Sequence, residues 1–349
     1  MVCIAAFIIL ALIGVFVAII SIFKPKVGKA YWKMFKKAWG CLWKKVRLQK
    51  CETGFKDDVK NTLLSRVIIK HPKWVKPLSV VIEIISVVIV AVVVWAILTA
   101  IKSLLALWAL GSCNVTKPSS CSLGAEMCSI DEDEPKNVWE ATGRWFTEWG
   151  EIFEAIPDKF KTYNIDDYGF EYILIGDENQ SENKVVDIFD PGCSVCLSSY
   201  RNQLAAGFFD SHSVRLVPFA IQDADDAYKF KNSEIVVRYA FAANKIKSDY
   251  AITIIDNIFT GKNHDGISYQ RLINDEFSRE DIVSRMEGWL KDKGASKDEI
   301  KTIREFADSE EITDIMKKNR EIIEKDLRVK GIPTILMDGK KHTGLWKSE

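Results

Sequence analysis

A chain of 349 residues, with 48 Lys and Arg against 48 Asp and Glu, has room for one sizeable domain plus accessory segments. Its formal net charge of zero lacks the basic excess that a dedicated nucleic-acid-binding domain shows, so nucleic acid is not an expected partner. Hydrophobic residues make up 48%, but the composition changes so sharply along the chain that the average describes no single segment.

The first element is the apolar stretch Val2 to Phe23, close to the ~20 residues a helix needs to cross about 30 Å of hydrocarbon. It has neither the positive charge before the apolar core nor the small-residue cleavage site after it that mark a signal peptide, so it is expected to stay attached as a transmembrane helix over 1–23. A basic loop, 24–77, follows with 16 Lys and Arg opposed only by Glu52, Asp57 and Asp58. Positive loops stay in the cytoplasm, which places both ends of the chain outside. Within the loop, Trp32, Phe35, Trp39 and Trp43 with lysines between them suit an amphipathic helix on an anionic inner leaflet. A second apolar stretch, 78–110, is longer than a bilayer is thick. Glu83 and Lys102 mark its two interfaces, and the part after Lys102 is left to tilt or emerge.

Beyond Leu110 the chain turns polar and acidic, and 111–165 reads as an extracytoplasmic linker with one helix. In that helix Trp145, Trp149, Ile152, Phe153, Ile156 and Phe160 recur at helical spacing, a stripe expected to pack on its own domain. Of the eight cysteines, Cys3 lies within the first apolar stretch and the others divide by side of the membrane: Cys41 and Cys51 fall in the reducing cytoplasm, while Cys113, Cys121, Cys128, Cys193 and Cys196 face an oxidising space. Two of Cys113, Cys121 and Cys128 are expected to join as a structural staple, and the odd count leaves one outward cysteine over.

Residues 189–200, "FDPGCSVCLSSY", hold a Cys-x-x-Cys pair that suits half a zinc site, a redox dithiol or chance. The apolar runs "YILIGDE" and "KVVDIFD" before it have strand character, "SSYRNQLAAGFF" after it has helical spacing, and "VRLVPFAI" returns to a strand. Cys193 is therefore expected at a strand-to-helix junction, where free N–H groups and the helix dipole stabilise a thiolate, with Cys196 one turn on and close enough for a disulfide. Zinc needs two further ligands, and neither a second Cys-x-x-Cys nor a nearby His pair is present. Near the C-terminus, "VKGIPTILMDGK" sets Gly331-Ile332-Pro333 before a strand, a position awkward for proline unless the peptide is cis.

Taken in order, strand, Cys-x-x-Cys at a helix start, strand, long helical insertion and Gly-Ile-Pro-Thr before a strand, the segment from about Tyr172 to Lys340 resembles the DsbA-like branch of the thioredoxin superfamily. The resemblance implies an α/β, thioredoxin-like fold over 166–349 with a helical insertion at about 222–328, preceded by two transmembrane helices. By the same resemblance Cys193 is the attacking thiol, Cys196 the resolving thiol, Asp187 the buried acid that takes its proton, and Pro333 the cis-proline facing them. Ile332, Ser194 and Val195 are the positions that meet a substrate, Ile332 through its backbone in the manner of an added strand.

The chain departs from the family in two places. Ser194-Val195 replaces the Pro-His dipeptide of strongly oxidising members, and the chain stops soon after Lys340, so the family's closing helix is expected to be absent, with either the Trp-rich helix near Trp145 covering that face or the fold trimmed. The expected protein is a two-pass plasma-membrane thiol–disulfide oxidoreductase of a bacterial cell envelope, its catalytic domain outside. It needs no flavin, haem or metal. Its expected partners are exported protein thiols or disulfides, the lipid bilayer, and a membrane electron-transfer partner, either a quinone-linked oxidase or a transmembrane reductant relay. The alternatives are a redox-inactive peptide-binding module on the same fold and a membrane-assembly scaffold acting through the basic loop.

Overall fold

The computed structural model describes residues 32, 35–40, 43–44, 47, 72–120, 126–130, 135–177, 184–222 and 227–347, and the chain divides into two compact units, Met1–Ile101 and Lys102–Glu349. The stretch Val2 to Phe23 and most of the basic loop lie outside the described residues. Residues 35–40 of the loop are helical, Trp32 stacks on Phe35 at 5.6 Å, and Trp39 and Trp43 are about half exposed.

Helix α1, Val75–Leu110, is unbroken over 36 residues, about 54 Å at 1.5 Å per residue. Its one proline, Pro77, sits in the first turn, where no intrahelical N–H is missed. The run of Val and Ile that follows has no polar alternative for its backbone, so a helix satisfies every N–H and C=O internally. Lys76–Leu110 is long and apolar enough to cross a membrane, and Val80, Ile84, Val88, Val92 and Trp95 are all exposed, the reverse of a helix built into a soluble core.

In the second unit, the last turns of α1 pack on helix α2, Val138–Ala155, whose N-cap Asn137 accepts the N–H of Glu140. Ala106, Ala109, Val115, Ile152 and Ala155 form a small separate core. Lys102 is ion-paired to Glu148 and lies 5.4 Å over the Trp145 ring. The expected aromatic stripe does not bury as one face. Ile152 is buried, but Phe153 is 56% and Phe160 77% exposed, because α2 meets its neighbours along the Ile152–Ala155 line, and Phe160 lies beyond the helix end.

The main core is a five-stranded sheet in the order β2–β4–β3–β6–β7: β2 Ile173–Ile175, β3 Lys184–Phe189, β4 Ser213–Pro218, β6 Thr334–Met337 and β7 Lys340–Thr343. β3 runs parallel to β4, with Val185 opposite Val214 and Phe189 opposite Pro218, and antiparallel to β6, with Asp187 opposite Ile335. Every residue of β3 after Lys184 is buried, as in a central strand covered on both faces. β3 and β4 are joined by α3, Ser194–Ala205, and the short α4, Phe208–Ser211, which turn about Gly207 at φ 64°.

The insertion between β4 and β6 is helical: α5 Ser233–Ile246, α6 Ser248–Thr260, α7 Tyr269–Asp275, α8 Arg279–Asp292, α9 Lys297–Ala307 and α10 Glu310–Glu321. Its starts follow sequence grammar, since Ser278 with Asp281 and Ser296 with Glu299 form complete capping boxes. Helix α3 is tied to α6 by Tyr200 donating to Asp256 and by Arg201 Nε donating to the Phe259 carbonyl at 2.7 Å.

Among the described residues no helix follows β7. Instead Trp346 folds back beside α3 and α4, its carbonyl accepting from Asn202 at 2.9 Å and its ring 5.1 Å from Phe208. Helix α2 joins the chain leading into the two-residue strand β5, Gly331–Ile332, through Lys330 to Glu151 at 3.4 Å and Arg328 to the Glu154 carbonyl at 3.0 Å. A cleft of about 1010 Å³, lined among others by Glu151, Asp158, Phe208, Met337, Lys341 and Trp346, separates α2 from the β6–β7 edge.

Candidate active site around Cys193

Cys193 lies where β3 hands over to α3. It is the N-cap of α3, and its sulfur accepts the N–H of Cys196 at 3.4 Å. The preceding turn, Asp190-Pro191-Gly192, is an Asx turn: Asp190 Oδ1 accepts the Gly192 N–H at 2.7 Å and the Ser233 hydroxyl, and Oδ2 accepts the Ile221 N–H at 2.7 Å. Burial pushes the Asp190 carboxyl up to about 6 despite these donors. Gly192 is required by packing, because a Cβ there would stand 2.4 Å from Phe230 Cβ and 2.7 Å from Ser233 Oγ.

The insertion grips the same turn from above. Gln270 Nε2 donates to the carbonyls of Pro191 at 2.9 Å and Cys193 at 2.8 Å, and Asn274 Nδ2 donates to the Gly192 carbonyl at 2.8 Å. The sequence reading missed Asp190, Ser233, Gln270 and Asn274. The Asp-Pro-Gly turn chemistry could have flagged Asp190; nothing in the sequence ties the other three to a turn 41 to 82 residues away.

Cys196 is a free, fully buried thiol, and desolvation raises its pKa well above the ordinary thiol value, with Asp190 and Asp187 adding repulsion against its thiolate. Asp187 is fully buried in β3, and desolvation lifts its carboxyl to about 6 against one opposing hydrogen bond from Gln203 Nε2 at 2.9 Å. Its Oδ1 has no hydrogen-bond partner in the structure. The structure thus holds a buried acid, one oxygen uncommitted, near a buried thiol that needs a base to ionise.

The cysteine pairing differs from expectation. Cys193 is bonded to Cys128, 65 residues away, and not to Cys196. Cys128 therefore belongs to no staple among Cys113, Cys121 and Cys128; Cys113 is itself disulfide-bonded, and Cys121 lies outside the described residues. The physical reason is placement. Cys128 sits on a two-residue strand β1, Cys128–Ser129, which pairs antiparallel with β5, Gly331–Ile332, directly beside Cys193. Cys128 is opposite Ile332 and Ser129 opposite Gly331.

The Ile332–Pro333 peptide is cis, as the resemblance implies. Ile332 is fully buried with its backbone already engaged by β1, Val195 is half-buried, and Ser194 is exposed. Cys193 is bonded to Cys128, which pairs with Ile332 next to the cis Pro333, and Asp187 lies on β3, the strand that leads into Cys193 and into α3 with its buried Cys196; Cys128 was not foreseen. Among the described residues no cluster of His, Cys, Asp and Glu is arranged to hold a metal ion. The large cleft beside β7 shares none of these residues.

No protein-family model and no curated protein matches this chain. Solved structures similar to it include the thiol-disulfide exchange protein α-DsbA2 from Wolbachia pipientis, at 19% identity over 50% of this chain and 81% of that one, with a TM-score of 0.37. MdbA, a thiol-disulfide oxidoreductase from Corynebacterium diphtheriae, is 19% identical over 52% of this chain and 86% of its own, with a TM-score of 0.37. The reduced disulfide bond oxidoreductase DsbG from Mycobacterium tuberculosis is 13% identical over 49% and 80%, with a TM-score of 0.36.

Proposed function

We propose that the chain is a membrane-anchored thiol–disulfide oxidoreductase whose Cys193-Ser194-Val195-Cys196 dithiol exchanges disulfides with exported proteins on the outer face of a plasma membrane. The observation that supports it most directly is the convergence on one sulfur. Cys193 caps a helix whose N-terminal N–H groups and dipole favour a thiolate, and the buried Cys196 thiol lies one turn away with the half-satisfied Asp187 carboxyl in its surroundings.

In the oxidising direction, a substrate thiolate attacks Cys193 of a Cys193–Cys196 disulfide and expels the Cys196 thiolate. A second substrate thiol, deprotonated, then attacks the substrate sulfur of the mixed disulfide and leaves the substrate oxidised and the dithiol reduced. In the reducing direction the Cys193 thiolate attacks a substrate disulfide and Cys196 resolves the mixed bond. Resolution requires the Cys196 proton to leave a site that strongly disfavours thiolate. Asp187, with a pKa of about 6, is ionised at neutral pH and is the acceptor for that proton. Helix α1, with Val2 to Phe23 as a second span, anchors the site, and an electron-transfer partner in the membrane, a quinone-linked oxidase or a transmembrane reductant relay, returns it to its starting state.

The test is reduction of insulin by the full chain in detergent with a dithiol reductant, wild type against Cys193→Ser. Turnover above the reductant background in wild type, and none in the variant, is expected. Equal rates would instead leave a redox-inactive binding module on this fold.

A further inference from the structure

The strand bonded to Cys193 is held as a guest would be. β1 lies against β5 with its backbone, and the flanking contacts are also largely main-chain: the Ile130 N–H donates to the Lys330 carbonyl at 3.1 Å, the Leu345 N–H to the Glu126 carbonyl at 2.8 Å, and Lys229 Nζ to the Ser129 carbonyl at 3.2 Å. Main-chain pairing to an open strand edge is the general way a folded domain captures an extended peptide. The side chains are also seated. Met127 presses on Gly331, where a Cβ would come within 2.5 Å of its sulfur, and Ser129 and Ile130 are buried. With this segment in place Cys193 is completely buried, so nothing from outside reaches its sulfur.

We propose that Met127–Ile130 is a tethered substrate strand: it fills the groove beside Ile332, its Cys128 takes the place of a substrate cysteine on Cys193, and Cys196 releases it by disulfide isomerisation. The proposal rests on the oxidoreductase reading above. The release step balances within the chain. The Cys196 thiol gives up its proton, its sulfur attacks Cys193, the Cys193–Cys128 bond breaks as the Cys193–Cys196 bond forms, and the departing Cys128 thiolate takes up a proton. One disulfide and two electrons' worth of oxidation are conserved, so no external oxidant or reductant takes part. The chain then has two isomers at the same oxidation level, a closed one bonded 128–193 and an open one bonded 193–196. The buried, base-dependent Cys196 thiol makes release the slow direction unless its proton is taken, and the uncommitted Asp187 oxygen is the group in place to take it.

The test uses the air-oxidised full chain in detergent without added reductant. Thiols are quenched by acid and alkylated, the cysteine pairs mapped by mass spectrometry, and oxidation of a micromolar dithiol peptide timed. Wild type is expected to yield both the 128–193 and the 193–196 pair, Cys196→Ala only the first, and Cys128→Ser only the second. A tethered competitor acts at an effective concentration of order millimolar, about a hundredfold above a peptide used at ~10 μM, so Cys128→Ser should oxidise the peptide on the order of a hundredfold faster than wild type. Ser129→Glu keeps all three cysteines but cannot bury a carboxylate where Ser129 is fully buried, and should shift the pairing to 193–196 and raise the rate likewise. Equal, measurable rates in wild type, Cys128→Ser and Ser129→Glu would make the 128–193 bond a plain staple and overturn the proposal while leaving the oxidoreductase intact. Rates no higher than those of Cys193→Ser in all of them would overturn both.

Discussion

Replacing Cys128 by serine in a chain that already carries Cys196→Ala removes one bond and leaves no other partner for Cys193 within the site. The Cys128–Cys193 disulfide spans 65 residues. In the chain-entropy account, the unfolded-state freedom it removes grows with the logarithm of the loop, and 65 residues give about 4 kcal/mol at 25 °C. Reducing agent should erase the difference, because the bond acts on the denatured ensemble only while it is closed. The assay is urea unfolding of Cys196→Ala and Cys128→Ser/Cys196→Ala in detergent, followed by tryptophan fluorescence, with and without reductant. The disulfide at Cys113 is common to both proteins, so its contribution cancels. The oxidised single variant should be more stable by about 4 kcal/mol, equivalent to roughly 10 °C in Tm for a unit of this size, and the reduced proteins should coincide. Coincidence in both conditions would refute the reasoning at its base, since there would be no closed loop of 65 residues to restrict.

Asp187 supplies a pH-dependent prediction. Its folded-state pKa is raised from 3.8 to about 6, so the stability associated with its neutral form is fully present below about pH 4 and lost as pH rises through 6. Unfolding free energies of wild type and Asp187→Asn, measured at pH 4 and pH 7, should therefore change in their difference by about 2 kcal/mol, to the disadvantage of wild type at the higher pH; parallel curves would show that Asp187 is not buried as described. Gly192→Ala forces a methyl to within 2.4 Å of Phe230 and should destabilise by about 1–3 kcal/mol and slow insulin reduction, because the turn that aims Cys193 must shift. Unchanged stability and turnover in that variant would remove the packing argument for the turn.

What could be read in the sequence was what local pattern writes down. The run Val185 to Phe189 announces a central strand, the change of period at Ser194 announces a helix, and Cys193 falls at the junction because that is where the period changes. Asp187 was legible only through the resemblance, by its place six residues before Cys193, since the pattern "VVDIFD" alone also suits a solvent-facing aspartate; the structure buries it. Pro333 by itself read as a turn proline, and it was the resemblance that gave it a place beside the cysteines. Cys128 was not legible. A two-residue strand in a polar segment has no periodicity, and its partner Gly331–Ile332 is some 200 residues on, so only an odd count of outward cysteines hinted that one of them had other business. The tryptophan-rich helix was misjudged for a different reason: helical spacing identifies a stripe of apolar side chains, but which of them are covered depends on a neighbour that is not in the pattern, here the last turns of α1.

The grip of α5 and α7 on the Asp190–Cys193 turn gives the helical insertion a duty that its distance from the chemistry conceals. Four side-chain groups, from Ser233, Gln270 and Asn274 with Asp190 between them, meet the N–H or carbonyls of a turn that has little regular structure of its own. The turn therefore borrows its stiffness from helices that enter the fold 40 to 80 residues later. Grafting "DPGCSVC" alone onto another scaffold moves the sulfurs without the splint, and trimming the insertion to a minimal thioredoxin core strands buried carbonyls at the one place where a misaimed sulfur ends the reaction.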